Sequence, residues 1–295
     1  MTQITPVQHP ELNERIQNLL RLDMPTDNPQ VIVVKYGGHV MTDPSLSHDF
    51  ALGVRYLVNL GHKVAVVHGG GPQISAALDK AKIKSEFKSG FRVTTKEVAE
   101  VVKDVLCYQI QPTLTNLMHS VGVYAIGVNG DEGLLFAEKR NTDIKGENVD
   151  LGFVGNVTHV ESGIIDQIWD KHFVPIISTV GKDSAGNIYN VNADVAAKDI
   201  AVSLEADQLL LLTDVEGLYA DWPQAKNVIR VCSIEQARRL LPDLDSGMAP
   251  KIESAIKAVE QGVRSVKTID GRVKHSIVIS QLPDIPFGTT IGVTR

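Results

Sequence analysis

Two short apolar runs, largely β-branched, each end in a cluster of glycines: Val31-Ile-Val-Val-Lys-Tyr-Gly-Gly38 and Val64-Ala-Val-Val-His-Gly-Gly-Gly-Pro72. Runs of this length without polar alternation are the pattern of parallel strands buried on both faces. Glycine lacks a Cβ, so the N–H groups of Gly37, Gly38, Gly69, Gly70 and Gly71 can approach anionic oxygens closely. A helix beginning just after each turn adds the positive end of its dipole. Lys35 brings a full charge to the first turn. The pair of turns therefore predicts a phosphate cradle on an α/β sheet.

Two commoner phosphate-binding patterns are excluded. A P-loop needs a glycine-lysine pair followed by serine or threonine, and here Gly181-Lys182 is followed by Asp183. A dinucleotide fingerprint counted from Gly69 finds Gly71 in place but Ile74 where the third glycine belongs. The formal net charge of −6 argues against nucleic acid or a membrane surface as partner, because both call for a basic face. Cys107 and Cys232 stand far apart, outside any zinc-binding spacing, and read as two buried reduced thiols. No metal-ligating cluster is visible. With no basic start, leader-like apolar stretch or membrane-length run, a cytoplasmic protein is expected.

Along the chain, residues 10 to 22 predict an amphipathic helix with Leu12, Ile16, Leu19 and Leu20 on one face, broken by Pro25 and Pro29. With little of its own chain to cover it, this helix is expected to dock on another subunit. Helical spacing recurs at 46–60, 72–82, 96–121, 164–171, 193–204 and 250–262. Strands are expected at 31–34, 64–67, 124–128, 174–178, 208–213, 265–269 and 277–279, with hairpins over the polar stretch 129–160. This alternation implies a doubly wound α/β sheet. Ligands of such sheets bind beyond the carboxyl ends of the strands. Lys35, both glycine turns, Asn190 to Asp194 and Asp214 would share that edge.

The ordered motifs Lys35-Tyr-Gly-Gly, His68-Gly-Gly-Gly-Pro, Gly90-Phe-Arg-Val-Thr94, Asn190-Val-Asn-Ala-Asp194, Thr213-Asp-Val-Glu-Gly-Leu-Tyr219, Gly247-Met-x-x-Lys251 and Gly288-Thr-Thr-Ile291 resemble the N-acetylglutamate kinases of the amino acid kinase family. The resemblance runs from about Val31 to Ile291. Val40 and Thr95 depart from the family's usual alanine and acidic residue. The resemblance implies a three-layer αβα sandwich around a mainly parallel open sheet, the carbamate kinase-like fold. It divides the chain into an N-terminal helix and linker (1–28), an N-acetylglutamate-binding lobe with a dimer interface (29–201) and an ATP-binding lobe (202–295).

The activity it implies is phosphorylation of the γ-carboxylate of N-acetyl-L-glutamate by ATP with Mg²⁺, the metal held mainly by the nucleotide phosphates. On that resemblance Lys35 stabilises the transferring phosphoryl, Lys251 neutralises the leaving oxygen, and Asp194 holds both lysines. Gly38 and Gly70 donate to the equatorial oxygens. Gly70, Gly71, Arg92, Asn190 and Asn192 bind the acceptor; Lys35, Gly37, Asp214, Tyr219, Met248 and Lys251 bind the nucleotide. Taken singly, each has a plainer reading: Lys251 as a solvated helix lysine, Arg92 as a surface ion-pair partner, Asp194 as a helix N-terminal charge. His68 reads as a packed histidine, and His39 is left unassigned.

The resemblance also implies a homo-oligomer, either a dimer or a hexamer formed as a trimer of dimers through the N-terminal helices. L-Arginine is implied as a feedback inhibitor at a site containing Lys267, Gly271 and His275. Ser280 stands where a glutamate is usual, which weakens that effector site. A PII-type protein partner is not readable. Rival readings are a kinase of the same fold acting on N-acetyl-aminoadipate, one methylene longer, and a catalytically silent nucleotide or arginine sensor. The intact set Lys35, Lys251 and Asp194 argues against the sensor.

Overall fold

The structure, a computed structural model, describes residues 10–88, 90–142, 146–221, 224, 226–244 and 247–292. The side chain of His39 also lies outside the described residues. The chain begins with α1 (Pro10–Leu19), β1 (Val31–Tyr36), α2 (Pro44–Asn59), β2 (Lys63–His68) and α3 (Gly71–Ala81). A small hairpin, β3 (Phe87–Lys88) and β4 (Phe91–Arg92), leads to α4 (Lys96–Lys103), which continues through a π-helical stretch at Asp104–Ile110 into α5 (Gln111–Ser120). Next come β5 (Ala125–Asn129), β6 (Leu135–Lys139), β7 (Val154–Val160), α6 (Ser162–Trp169), β8 (Val174–Ser178), β9 (Val180–Lys182) and β10 (Ile188–Val191). The last third holds α7 (Ala193–Ser203), β11 (Gln208–Thr213), β12 (Val231–Cys232), α8 (Ile234–Leu240), α9 (Ala249–Glu260), β13 (Ser265–Asp270), α10 (Ser276–Ser280) and β14 (Thr289–Gly292).

Eight strands form one sheet in the order β12-β14-β13-β11-β1-β2-β8-β5, parallel except where β14 runs against β13. Residues alternate between the two faces as a parallel sheet demands. Ile32, Val34, Val64 and Val66 enter one apolar core with α1 to α5 and α10; Val33, Ala65 and Val67 enter a second with α6 to α9. The architecture is the expected three-layer αβα sandwich. The expected hairpin over 129–160 is present as the antiparallel pair β6/β7, which closes with β9 and β10 into a small four-stranded barrel. β1 pairs with β2 on one side and β11 on the other, so the sheet is continuous across the lobe boundary expected at 201. No helix among the described residues is long and apolar enough to cross a membrane.

Three expectations need correction. The run Ile277 to Ile279 is not a strand but the buried helical turn α10. A short apolar run fits a buried helix as well as a buried strand, and here it packs on α2 rather than joining the sheet. The closing strand is instead β14, whose β-branched Thr-Thr-Ile run between Gly288 and Gly292 is not among the expected strands. Helix α8 was also not expected, although Ser233 and Gln236 form a reciprocal capping box at its start.

The third correction concerns α1, which stops at Leu19 and is already covered by its own chain. Leu12, Ile16 and Leu20 are buried in the core shared by α2 and α10. Arg15 Nη1 reaches Asp284 Oδ2 at 2.6 Å, and Gln17 Nε2 lies 3.3 Å from His275 Nε2. The partner surface is built from residues some 260 positions away, which local sequence does not show.

Gly53 in α2 allows α10 to approach. A Cβ there would lie 2.8 Å from Ile277 Cβ and 3.0 Å from its Cδ1. Alanine gains ~1 kcal/mol of helix propensity over glycine, whereas overpacking a closed core costs about 1–3 kcal/mol. Because the obstructing atom is a branched Cβ, the steric cost should prevail. Gly53→Ala is expected to lower the thermal unfolding midpoint by several degrees; an unchanged or raised midpoint in a calorimetric scan would show that α10 can retreat.

Candidate active site

β1 and β2 are in register, Lys35 opposite Val67 and Tyr36 opposite His68, so the two glycine turns leave the sheet side by side. The Gly69 N–H donates to the Tyr36 carbonyl at 2.9 Å and ties them together. Gly38 has a φ of +75°, a conformation that favours glycine. Gly70 is required for space, since a Cβ there would fall 2.3 Å from Ile110 Cδ1 and 2.8 Å from Leu106 Cδ2. α3 starts at Gly71, so its free N–H groups face the same edge.

Three charged side chains meet there. Lys35, the penultimate residue of β1, places Nζ 3.0 Å from Asp194 Oδ1, and Lys251 places its Nζ 2.8 Å from Asp194 Oδ2. Lys35 and Asp194 have side chains only 8% and 7% exposed, so these pairs are not surface ion pairs. Asp194 lies in the first turn of α7, where the helix dipole favours a carboxylate, and Asn192 caps that helix by accepting from the N–H groups of Asp194 and Val195. Lys251 lies in the first turn of α9, where the dipole opposes a cation, so Asp194 must hold it.

Burial opposes ionisation of Asp194, but the two ammonium groups outweigh it and hold the carboxyl well below the usual range. Burial outweighs the Asp194 attraction at Lys35 and lowers its pKa, with Lys251 adding repulsion. At Lys251 burial is overcome by Asp194, and the pKa is raised.

Two chambers meet at this cluster. The smaller, about 250 Å³, is lined by Lys35, the glycines 37, 38 and 69 to 71, Arg92, Asn190, Asn192, Asp194 and Lys251. The larger, about 630 Å³, is lined by Lys35, Gly37, Gly38, Val40, Thr213, Asp214, Met248 and Lys251. The two lysines and both first-turn glycines thus stand at the junction. Tyr219 does not line the larger chamber; it is buried and bridged to Val228.

Arg92 is not a surface ion-pair partner. It is buried and forms no ion pair with a described carboxylate. Its guanidinium donates to Ser75 Oγ at 2.8 Å, to the Gly71 carbonyl at 3.2 Å and to Ser85 Oγ, and stacks 4.6 Å from the centroid of Phe87. An arginine fixed this way, with no carboxylate in ion-pair contact among the described residues, suits a carboxylate ligand. Ser75, Ser85 and Phe87 stand in no motif, and sequence reading missed them. Asn190 Nδ2 donates to Thr94 Oγ1 at 3.1 Å.

His68 is fully buried, its Nδ1 near the Gly69 carbonyl, and burial pushes its pKa down to about 4, consistent with a packed neutral ring. Both cysteines are buried and unbridged, and burial pushes the Cys107 thiol up to about 11. Of the expected effector residues, Lys267 lines a separate cavity with Ser280, which neither Gly271 nor His275 lines. Gly271 lies against Val40 and Leu212, while His275 is buried 2.7 Å from Asp49. Among the described residues no three His, Cys, Asp or Glu side chains gather as a metal cage. Asp194 is already held by ammonium groups, so the donor set does not fit a resident metal ion.

Removing the shared carboxylate leaves two buried like charges. Breaking a buried pair in this way costs about 3–5 kcal/mol, so Asp194→Asn should lower the unfolding free energy obtained from urea titration by that amount at pH 7. Because the folded pKa of Asp194 is depressed, the stability it contributes is present above the unfolded carboxyl value near ~4 and is lost as pH falls through the lower folded value. The gap between wild type and variant should therefore hold from neutral pH down to about pH 4. A gap that closes near pH 6 would contradict the assignment.

A model of the amino acid kinase family matches residues 30–270. Acetylglutamate kinase of Mycobacterium marinum is 43% identical over 263 residues, covering 89% of this chain and 90% of its own length. Acetylglutamate kinase of Corynebacterium diphtheriae is 45% identical over 263 residues, covering 89% and 85%. Among solved structures, carbamate kinase from Giardia lamblia bound to AMP-PNP superposes with a TM-score of 0.65 at 17% identity, covering 91% of this chain and all of that one, which reflects a common fold. The sheet order, the glycine turns and these similarities together place the chain in the amino acid kinase family, where it is similar to the acetylglutamate kinases.

Proposed function

We propose that this chain transfers the γ-phosphoryl group of ATP, taken as its magnesium complex, to the side-chain carboxylate of N-acetyl-L-glutamate. The products are N-acetyl-L-glutamyl 5-phosphate and ADP, in the second step of arginine biosynthesis by the acetylated route. The observation that carries this reading is the Lys35–Asp194–Lys251 cluster at the junction of two chambers. Its weight comes from the 43–45% identity to acetylglutamate kinases over nine-tenths of the chain. The buried Arg92 supports reading the smaller chamber as the acceptor's, and the larger, bounded by Asp214 and Met248, suits the nucleotide.

The chemistry asks little of the protein in proton transfer. A glutamate side chain with a pKa near ~4.3 is already ionised at neutral pH. One of its oxygens forms a bond to the γ-phosphorus, the bond from phosphorus to the β–γ bridging oxygen breaks, and ADP leaves with that electron pair. The obstacle is repulsion between a carboxylate and a polyanion. Lys35 neutralises charge on the transferring group from the acceptor side, and Lys251 does so at the leaving oxygen. The N–H groups of Gly38 and Gly70 donate to the equatorial oxygens. Asp194 is a positioning residue: each of its oxygens is taken by an ammonium group, and its depressed pKa makes it a poor base.

Measured by ADP release, turnover should require N-acetyl-L-glutamate. Equal activity with N-acetyl-aminoadipate would reassign the acceptor, and no acceptor-dependent turnover would leave a nucleotide-binding sensor. Lys35→Ala and Lys251→Ala should each lower kcat a hundredfold or more, about 3 kcal/mol of transition-state stabilisation. Near-native turnover in either variant would defeat the mechanism.

Arg92→Ala should act on binding instead. Loss of a charge-assisted pair worth roughly 1.5–3 kcal/mol predicts at least a tenfold rise in the acceptor KM with the ATP KM little changed. The reverse split in steady-state kinetics would exchange the two chambers.

A further inference from the structure

The opposite edge of the sheet holds a cavity of about 600 Å³ that the proposed reaction does not use. It opens where β1, β11 and β13 begin, whereas the active cleft lies where β1 and β2 end. Its charged lining is unbalanced. Among the described residues Asp207 is its only acidic one, and Arg230, Arg264 and Lys267 are its cations. Asp207 is already engaged: Oδ1 lies 3.0 Å from Arg264 Nη2, and Oδ2 accepts from the Val31 N–H at 3.0 Å. His62 accepts from the Gln30 N–H through Nδ1, and burial lowers its pKa, so it adds no charge.

Lys267 and Arg230 are left without a carboxylate among the described residues. The Lys267 ammonium donates to the Ser280 carbonyl, and Arg230 Nη1 makes a long 3.4 Å contact with the Gly288 carbonyl. A point-charge donor and a planar fork, carried by neighbouring parts of the sheet, face one polar cavity. A carboxylate has two oxygens in one plane, but a phosphate presents three to donors from different directions. The volume is in the range that encloses an organic ligand rather than a bare ion. L-Arginine fits poorly, because its guanidinium would meet no unengaged carboxylate among the lining residues.

We propose that this cavity binds a small organic phosphate, its phosphate held between Lys267 and Arg230 on the edge of the sheet away from the active cleft. The site carries no role in the transfer reaction and stands whether or not the acceptor assignment does. Burial, with Arg230 adding repulsion, pushes the Lys267 ammonium down to about 8. A bound dianion favours the protonated amine, so binding above that pH takes up protons. Arg230, Arg264, Asp207 and His62 are the other ionisable groups lining the cavity.

The test is calorimetric titration of the full chain with ribose 5-phosphate. Wild type and Lys35→Met should bind it equally. Lys267→Met in β13 and Arg230→Leu just ahead of β12 should each bind at least tenfold more weakly, and Lys267→Arg should retain binding. At pH 8.5 the heat should vary with the buffer's ionisation enthalpy in the sense of proton uptake. No binding to wild type would overturn the proposal, as would binding lost in Lys35→Met but kept in Lys267→Met, which would place the phosphate in the glycine turns. L-Arginine binding that depends on Lys267 while ribose 5-phosphate fails to bind would also overturn it. If Lys267→Met does not fold, Arg230→Leu decides.

Discussion

One buried carboxylate organises the active edge of this protein. Asp194 clasps two ammonium groups, one reaching it from strand β1 and the other from helix α9, and it compensates only one of their two charges. Asp214 at the edge of the larger chamber adds a second carboxylate, and Arg92, buried and without an ion-pair partner among the described residues, leaves the cations in excess. Buried charge of this kind is unfavourable until an opposite charge arrives. A polyanion supplies what the fold leaves unbalanced, and its binding should stabilise the native state by mass action.

The backbone makes this concentration of charge possible. Parallel strands in register end at one level, so Lys35, Gly37 and Gly69 share an edge through pairing alone. α3 then points its N-terminus at the same space and adds unpaired N–H groups, whereas α2 starts only at Pro44 and has its first N–H groups capped by Asp43. Lys251 is the exception that shows the cost. Its place in the first turn of α9 is electrostatically wrong for a lysine, and it persists because Asp194 sits in the first turn of α7, where a carboxylate is favoured. The two helix starts face each other with opposite charges, Asp194 and Lys251 in direct contact.

Much of this was legible in the sequence because it rests on local pattern. Val31 to Val34 and Val64 to Val67 read as two-face-buried strands, and they are. The glycine turns read as an anion cradle, and two of their positions are restrictive, Gly38 by its φ of +75° and Gly70 by the close approach of Ile110 and Leu106. Lys251, by contrast, reads as an ordinary helix lysine until its order among the other motifs is considered. What stayed hidden depends on distant partners. Ile277 to Ile279 has strand-like composition but forms a helical turn, because α2 offers it a packing surface through Gly53. The cover over α1 comes from His275 and Asp284, and the grip on Arg92 comes from two serines and a phenylalanine in no recognisable pattern.

Net charge gives little guide to the ligands of such a protein. The formal charge is −6, yet the chambers and the far cavity are each bordered by cations. At physiological ionic strength charges are screened over about 8 Å, so an anion already inside the cleft responds to Lys35, Lys251 and Arg92 far more than to acidic groups on distant surfaces. Acidic exteriors disfavour nucleic acid, which must lie along a broad face, while leaving small anions unaffected once they enter. Selectivity for small anionic substrates can thus arise from where a few buried cations sit, with the remainder of the surface charged in the opposite sense.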